Sequence, residues 1–477
     1  LTEITNFKIE KIRRPLLDNL QKTPLSEKKT WKISNGDFTT GGIYFDKSKQ
    51  SIISKIVEFG FNKRLEEKAK KSIQYWKEQG LRNEELFLKT KLSNKDFIKY
   101  SDDIEKEGNM PSDYYDRSQH RWKIRINSLY GALGSEYFHL FNIDNARAIT
   151  LTGQNLIQFM TKTFNDYFKN EFYKNLDYFD SIDEKNKIQK DVVRLVDTDS
   201  NYLSLEEVVE KLDLKFKNSA EFRNWTLDFI DKIINPLIAN ATKIYDEFYD
   251  SGRSINFKPE KIIENMFVTG RKHYASNIVD DEGIDYSDCP KFKNVGIEFK
   301  KRDKPFFIRI VLEKVLKMIL NKEDKDKVNK YIRESKELFE KQPISEIAIR
   351  GGISSYDKYS IPLVLKNGKL EYKLKSPPRN KAAVNYNFMI SKLKLKKETK
   401  ITNGDLMCYI AIKPNNEFKF KTIGFLDKWI PEFDNYFEVD YNAIWDKSCI
   451  QLINKWFEIM NWGKVKTELN TFDSIFG

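Results

Sequence analysis

Cysteine is scarce in this sequence: among 477 residues there are three, Cys289, Cys408 and Cys449, far apart and in no Cys-x-x-Cys or His-bearing arrangement. This argues against a disulfide framework or a zinc site, and fits a reducing compartment such as the cytoplasm. Long hydrophobic runs are missing too. No stretch approaches the roughly 20 apolar residues of a membrane-crossing helix, so no membrane partner is expected, and no secretory leader pattern is visible. There is no internal repeat, and residues 392–400 form only a short basic tract. The first residue is Leu1 rather than Met, which suggests processing, trimming or copying from a longer coding region.

What the chain has in excess is positive charge. Lys and Arg number 83 against 71 Asp and Glu, a net +12, and a surface of that sign attracts phosphate backbones through counterion release. A merely soluble basic protein would share this property, so the motifs must decide. The length implies more than one core, in two or three subdomains.

Residues 1–50 mix turn signals, Asn35-Gly36-Asp37 and Gly41-Gly42, with a short strand-like run at Ile43-Tyr44-Phe45. Apolar spacing predicts a helix over 51–79 and a second, antiparallel one over 112–133, with 80–111 joining them at an exposed tip. Further helices are predicted over 142–168 and 219–249, and a hairpin over 191–206. Strands follow at 261–268 and 273–279, with Asp280-Asp281-Glu282-Gly283 as a turn. Beyond residue 303 the pattern predicts helices at 306–320 and 325–341, then strands and loops.

The most informative stretch is Asp197-Thr198-Asp199-Ser200, preceded by an apolar run from Val192 to Val196. Two carboxylates at a rigid hairpin can hold divalent metal, and phosphoryl transfer uses two such ions about 4 Å apart on the attacking and leaving oxygens. The bland alternative is an Asp-rich turn with solvated side chains. Upstream, Lys123, Asn127 and Tyr130 fall at i, i+4 and i+7, so one helix face combines a cation, an amide and an aromatic ring. Such a face suits a triphosphate and a base pair, unless Tyr130 packs into the core. On the partner helix, Arg64 and Lys68, also i and i+4, can converge on the same phosphates.

These segments resemble the B-family DNA polymerases, especially those of T-even-like bacteriophages. The family's K-x-x-x-N-S-x-Y-G motif is matched by Lys123, Asn127, Ser128, Tyr130 and Gly131, and Phe61-Asn62-Lys63-Arg64 with Lys68 looks like its finger helix. Its Y-G-D-T-D-S motif is matched except that Leu195-Val196 replace Tyr-Gly. Thr269-Gly270-Arg271-Lys272-His273-Tyr274 resembles the K-K-R-Y segment, and Glu260-Lys261-Ile262-Ile263 resembles the strand E-K-V-Y. The tail Thr471-Phe472-Asp473-Ser474-Ile475-Phe476-Gly477 resembles a clamp-binding terminus.

The resemblance implies an α+β polymerase right hand. Residues 1–50 would be palm, 51–134 two-helix fingers, 135–303 palm with an antiparallel sheet and the acid pair, and 304–477 a mixed α/β thumb with the clamp tail. It implies a DNA-directed DNA polymerase with two Mg²⁺ ions, Mn²⁺ being able to substitute. Asp199 and Asp197 would be metal ligands and Glu260 a further palm carboxylate. Arg64, Lys68 and Lys123 would neutralise the nucleotide triphosphate, while Asn127 and Tyr130 position the nascent pair. Gly131, Arg271, Lys272, Tyr274, Lys301 and Arg302 would meet primer-template DNA, and Phe472, Ile475 and Phe476 a sliding clamp.

One family element, D-x-x-S-L-Y-P-S, is not found, nor is the exonuclease; Asp103-Ile104-Glu105 looks like an exonuclease D-I-E but is expected in a solvated loop. The expectation is therefore a carboxy-terminal portion, inactive until a second polypeptide supplies the missing acid and the exonuclease, working in the host cytoplasm if phage-encoded. A non-catalytic DNA-binding or clamp-tethering remnant is the alternative.

Overall fold

The computed structural model describes residues 51–465 except 91, 250–256, 298, 300–303, 361–363, 367–368 and 372–375, together with the short strands at 36–38 and 44–46. Helices and antiparallel sheets are mixed throughout. Contacts divide the chain into two units: residues up to Lys261 with Asp280–Asp285, and Ile262–Val279 with Tyr286 onward.

In the first unit, β1 (Gly36–Phe38) pairs with β2 (Tyr44–Asp46), so part of the expected Asn35-Gly36-Asp37 turn is strand. Helix α1 (Ile52–Glu78) begins where Ser51 Oγ accepts the Ser54 N–H, which satisfies one of the four orphan donors of a helix start. A glycine inside a helix costs about 1 kcal/mol, yet Gly60 has a reason to be there. A Cβ on it would stand 3.1 Å from Ile126 on the return helix, so its absence lets the two helices close. Between them the expected tip folds into two further helices, α2 (Asn83–Thr90) and α3 (Asn94–Lys106). Ile104 of α3 is fully buried with Ile73 and Tyr115, so Asp103-Ile104-Glu105 is a packed helical turn and not a solvated loop. The return helix α4 (Ser112–Leu133) has the predicted bounds.

Helix α5 (Ile143–Asn170) is capped by Asn142, whose Oδ1 accepts the Asn145 N–H. It buries Phe159, Met160, Phe164, Tyr167 and Phe168 against Val192 and Val193 at the start of the hairpin β3 (Val193–Asp197) and β4 (Ser200–Leu203). At about 1.5–3 kcal/mol for each large side chain removed from water, this contact anchors the hairpin. Helix α6 (Glu206–Lys211) follows. The predicted single helix over 219–249 is instead α7 (Ser219–Phe229) and α8 (Asn235–Tyr249), joined by a π-helical turn at Ile230–Ile234. That turn buries Ile233 and Ile234 beside Phe229 and Leu237.

Strands β5 (Lys261–Gly270), β6 (His273–Asp281), β7 (Ile284–Asp285) and β8 (Lys291–Val295) form one antiparallel sheet. Its β6–β7 end belongs to the first unit. Asp280 and Asp281 are strand residues, so the turn is only Glu282 and Gly283, with φ of +55° and +88°. The second unit continues with α9 (Phe306–Leu320), α10 (Lys325–Phe339), β9 (Ile349–Gly352), α11 (Pro378–Lys392), β10 (Leu406–Ala411), β11 (Thr422–Phe425) and α12 (Gln451–Ile459). Strand β10 lies between β9 and β11. Helices α11 and α12 occupy the part of the chain expected to hold strands and loops. Among the described residues no helix is long and apolar enough to cross a membrane.

Candidate active site

Strands β3 and β4 pair Leu195 with Tyr202, Val196 with Asn201 and Asp197 with Ser200, which leaves Thr198 and Asp199 as a two-residue loop. Leu195 and Val196 are thus both paired strand residues leading into the acid turn. The Asp199 N–H donates to the Asp197 carbonyl at 2.7 Å, and Thr198 takes φ +59°. A left-handed backbone suits Gly or Asn better than a β-branched residue, so strain of about 1–3 kcal/mol is held here by the hairpin around it. Thr198 Oγ1 donates to Asp197 Oδ1 at 3.1 Å, and Ser200 Oγ to Asp199 Oδ1 at 3.4 Å. Helix α5 fastens the hairpin from below: Asn165 Oδ1 accepts the Val193 N–H at 3.0 Å, and Thr161 Oγ1 donates to Asn201 Oδ1 at 2.9 Å. Asp199 is exposed and Asp197 half-buried.

Two hard carboxylates on a short turn fit a cation such as Mg²⁺, which takes one or two protein carboxylates and fills its shell with water and phosphate oxygens. Among the described residues no group of three or more Asp, Glu, His or Cys side chains is placed to hold a metal ion. Glu260 is thus not gathered with Asp197 and Asp199. It is exposed just ahead of β5, where its carbonyl accepts the Glu282 N–H at 2.7 Å.

On α4, Lys123, Asn127 and Tyr130 share an exposed face, with Tyr130 43% exposed rather than in the core. The Tyr130 hydroxyl is braced on α5 by the Thr150 hydroxyl at 2.6 Å, and Thr150 in turn donates to the Ala146 carbonyl. Arg64 Nε donates to Gln119 Oε1 at 3.3 Å. Because Gln119 and Lys123 are i and i+4 on α4, Arg64 lies within a turn of Lys123. Neither Arg64 nor Lys123 has a carboxylate partner among the described residues. Lys68, one turn along α1, is different: its ammonium pairs with the Glu282 carboxylate at 2.6 Å. Burial opposes ionisation of Glu282, but the hydrogen bond and charge of Lys68, with Lys258 and Lys261 beyond, outweigh it and hold the carboxyl below its ordinary value. Sequence reasoning missed Glu282, which it placed in a turn without a role.

In the second unit, Arg271 and Lys272 form the exposed turn between β5 and β6, with Lys272 at φ +59°. Tyr274, two residues on, is 3% exposed and pairs with Val295 of β8, so its ring belongs to the interior. Gly296, just past β8, has φ +68°, and a Cβ there would stand 2.1 Å from the Lys272 carbonyl oxygen. Lys301, Arg302, Phe472, Ile475 and Phe476 lie outside the described residues.

A family model described as DNA polymerase family B matches residues 64–442. The DNA-directed DNA polymerase of Enterobacteria phage T4 is 24% identical over 347 residues, 69% of this chain and 35% of that protein. The DNA-directed DNA polymerase of Escherichia phage RB69 is 29% identical over 212 residues, 42% of this chain and 22% of that protein. The matched segments therefore span about a third or less of these curated relatives.

Proposed function

Because the chain belongs to DNA polymerase family B, with relatives among the polymerases of T-even-like phages, we propose that it forms the fingers, thumb and part of the palm of an enzyme that adds deoxynucleotides to a primer 3′ end. In this reading residues 51–134 are fingers, 1–50 and 135–303 palm, and 304–477 thumb. Asp199 and Asp197 hold Mg²⁺, which when bound supplies electrostatic stabilisation to the attacking and leaving oxygens. Arg64, Lys68 and Lys123 take the triphosphate. Asn127 and Tyr130 orient the nascent base pair, while Arg271 and Lys272 meet the primer-template backbone. The remaining carboxylate comes from a D-x-x-S-L-Y-P-S segment outside these 477 residues, which a second polypeptide can supply together with the exonuclease. The tail at Phe472, Ile475 and Phe476 docks on a sliding clamp.

The observation that carries this reading is the outward-facing row of Lys123, Asn127 and Tyr130, with Arg64 across the helix pair and, among the described residues, no carboxylate on either Arg64 or Lys123. Exposed lysines are common on any solvated helix face, so the weight rests on a cation, an amide and an aromatic ring sharing one exposed face beside Arg64. Gly131 tests the reading directly. It is exposed, and a Cβ on it would meet nothing within 4 Å. Gly131→Ala should therefore raise the stability of α4 by about 0.5–1 kcal/mol, as alanine does in a helix. If the nascent pair approaches this backbone, the same variant should lose at least tenfold in complemented primer extension. A variant that is more stable and equally active would remove DNA from this face.

A further inference from the structure

The β6–β7 hairpin offers four acids within residues 280–285, and each is committed. Arg223 takes Asp280 through Nε and Nη2 at 2.9 and 2.6 Å and reaches Asp285 at 3.1 Å. Lys261 pairs with Asp281. Glu282 reaches away from this cluster, across 214 residues of sequence, to Lys68 on α1. Its position is fixed by the backbone: the Glu282 N–H bonds the Glu260 carbonyl at 2.7 Å, and the Gly283 N–H bonds Asp280 Oδ1 at 2.8 Å. Glu282 also takes φ +55°, a conformation unfavourable for a side chain of its kind. Strain of this sort persists where surrounding structure over-determines it.

Resting on the reading of Lys68 as a triphosphate cation, we infer that Glu282 is a built-in competitor for the nucleotide: its carboxylate occupies Lys68 in the free enzyme and must yield it before Lys68 can meet a phosphate oxygen. The three cations divide accordingly. Arg64 and Lys123 stand ready with no carboxylate partner among the described residues, and Lys68 is released on demand. The strength of the pair suits an exchangeable contact. Its side chains keep 22% and 39% of their exposure, and half-exposed ion pairs are weak enough for a polyanion to displace them. Removing Glu282 should then tighten polyphosphate binding by the modest factor such a pair is worth, about fivefold.

The test is the affinity of the full chain for inorganic tripolyphosphate, by titration calorimetry, in four forms: unchanged, Glu282→Gln, Lys68→Gln and the double variant. The inference predicts about fivefold tighter binding for Glu282→Gln and no such gain in the Lys68→Gln background, the signature of a coupled pair. Glu282→Asp, which keeps the charge and withdraws it by one methylene, should gain less than Glu282→Gln. Melting curves check that each variant is folded. If Lys68→Gln weakens binding while Glu282→Gln leaves it unchanged or weaker, Glu282 is only a structural partner and the triphosphate reading survives. If Lys68→Gln has no effect either, Lys68 is not a phosphate ligand and the reading beneath the inference falls with it.

Discussion

Replacing Asp199 with alanine should lower primer extension by the complemented enzyme about 10³-fold, while primer-template affinity and thermal stability stay near those of the unchanged chain. The size follows from the role proposed for Asp199 as a metal ligand: metal-borne charge stabilisation of phosphoryl transfer is worth several kcal/mol, and about 1.4 kcal/mol is a factor of ten in rate. Stability should survive because the turn uses the Asp199 backbone, whose N–H bonds the Asp197 carbonyl at 2.7 Å, and among the described residues leaves the carboxylate with one long contact, to Ser200 at 3.4 Å. Exposed substitutions of this kind shift stability by no more than about 0.5 kcal/mol. A non-catalytic DNA-binding or clamp-tethering remnant makes the opposite forecast. For such a protein Asp199→Ala is silent in every assay, so extension rates in the complemented reaction separate the two readings.

Gly296→Ala should cost the second unit more than about 3 kcal/mol, large among single substitutions. Two effects add. At φ +68° any L side chain is strained, and the new Cβ would lie 2.1 Å from the Lys272 carbonyl oxygen and 2.5 Å from His273 Cδ2. The nearer neighbour is backbone inside the β5–β6 turn, so relief requires moving Lys272 or breaking the pairing of Tyr274 with Val295. Gly404 supplies the control. It has φ +92° with nothing within 4 Å of an added Cβ, so Gly404→Ala should cost only the left-handed penalty of about 1–2 kcal/mol. Chemical denaturation of the three chains measures both, and equal losses at the two glycines would show that the close approach at Lys272 carries no energy.

Much of the first unit was legible because its signals are local. Ser51 and Asn142 cap helices whose apolar residues recur at helical spacing, and Lys123, Asn127 and Tyr130 declare a shared face by their intervals alone. The acid hairpin was legible from an apolar run ending in a polar turn. Its strained loop was not: nothing in Asp197-Thr198-Asp199 announces a threonine at positive φ, because tertiary support overrides the local preference. Helix α11 was missed for a related reason. Ala382, Ala383, Val384, Asn385, Tyr386 and Asn387 are consecutive and all buried, so it has no solvent stripe to give a helical period. Its asparagines, poor helix formers, are retained by hydrogen bonds from Asn380 to the Ser354 carbonyl, Asn385 to that of Thr422 and Asn387 to that of Ile401. The pairing of Lys68 with Glu282 joins residues 214 apart, a relation that no window of sequence contains. Tyr274 shows the converse, since a residue matched to a DNA-contacting motif turns out to be interior.

The most direct test of the central claim is primer extension by these 477 residues with Mg²⁺, alone and after addition of a polypeptide bearing D-x-x-S-L-Y-P-S. The account predicts no synthesis alone and template-directed synthesis on mixing. Sustained extension by the chain alone would contradict it.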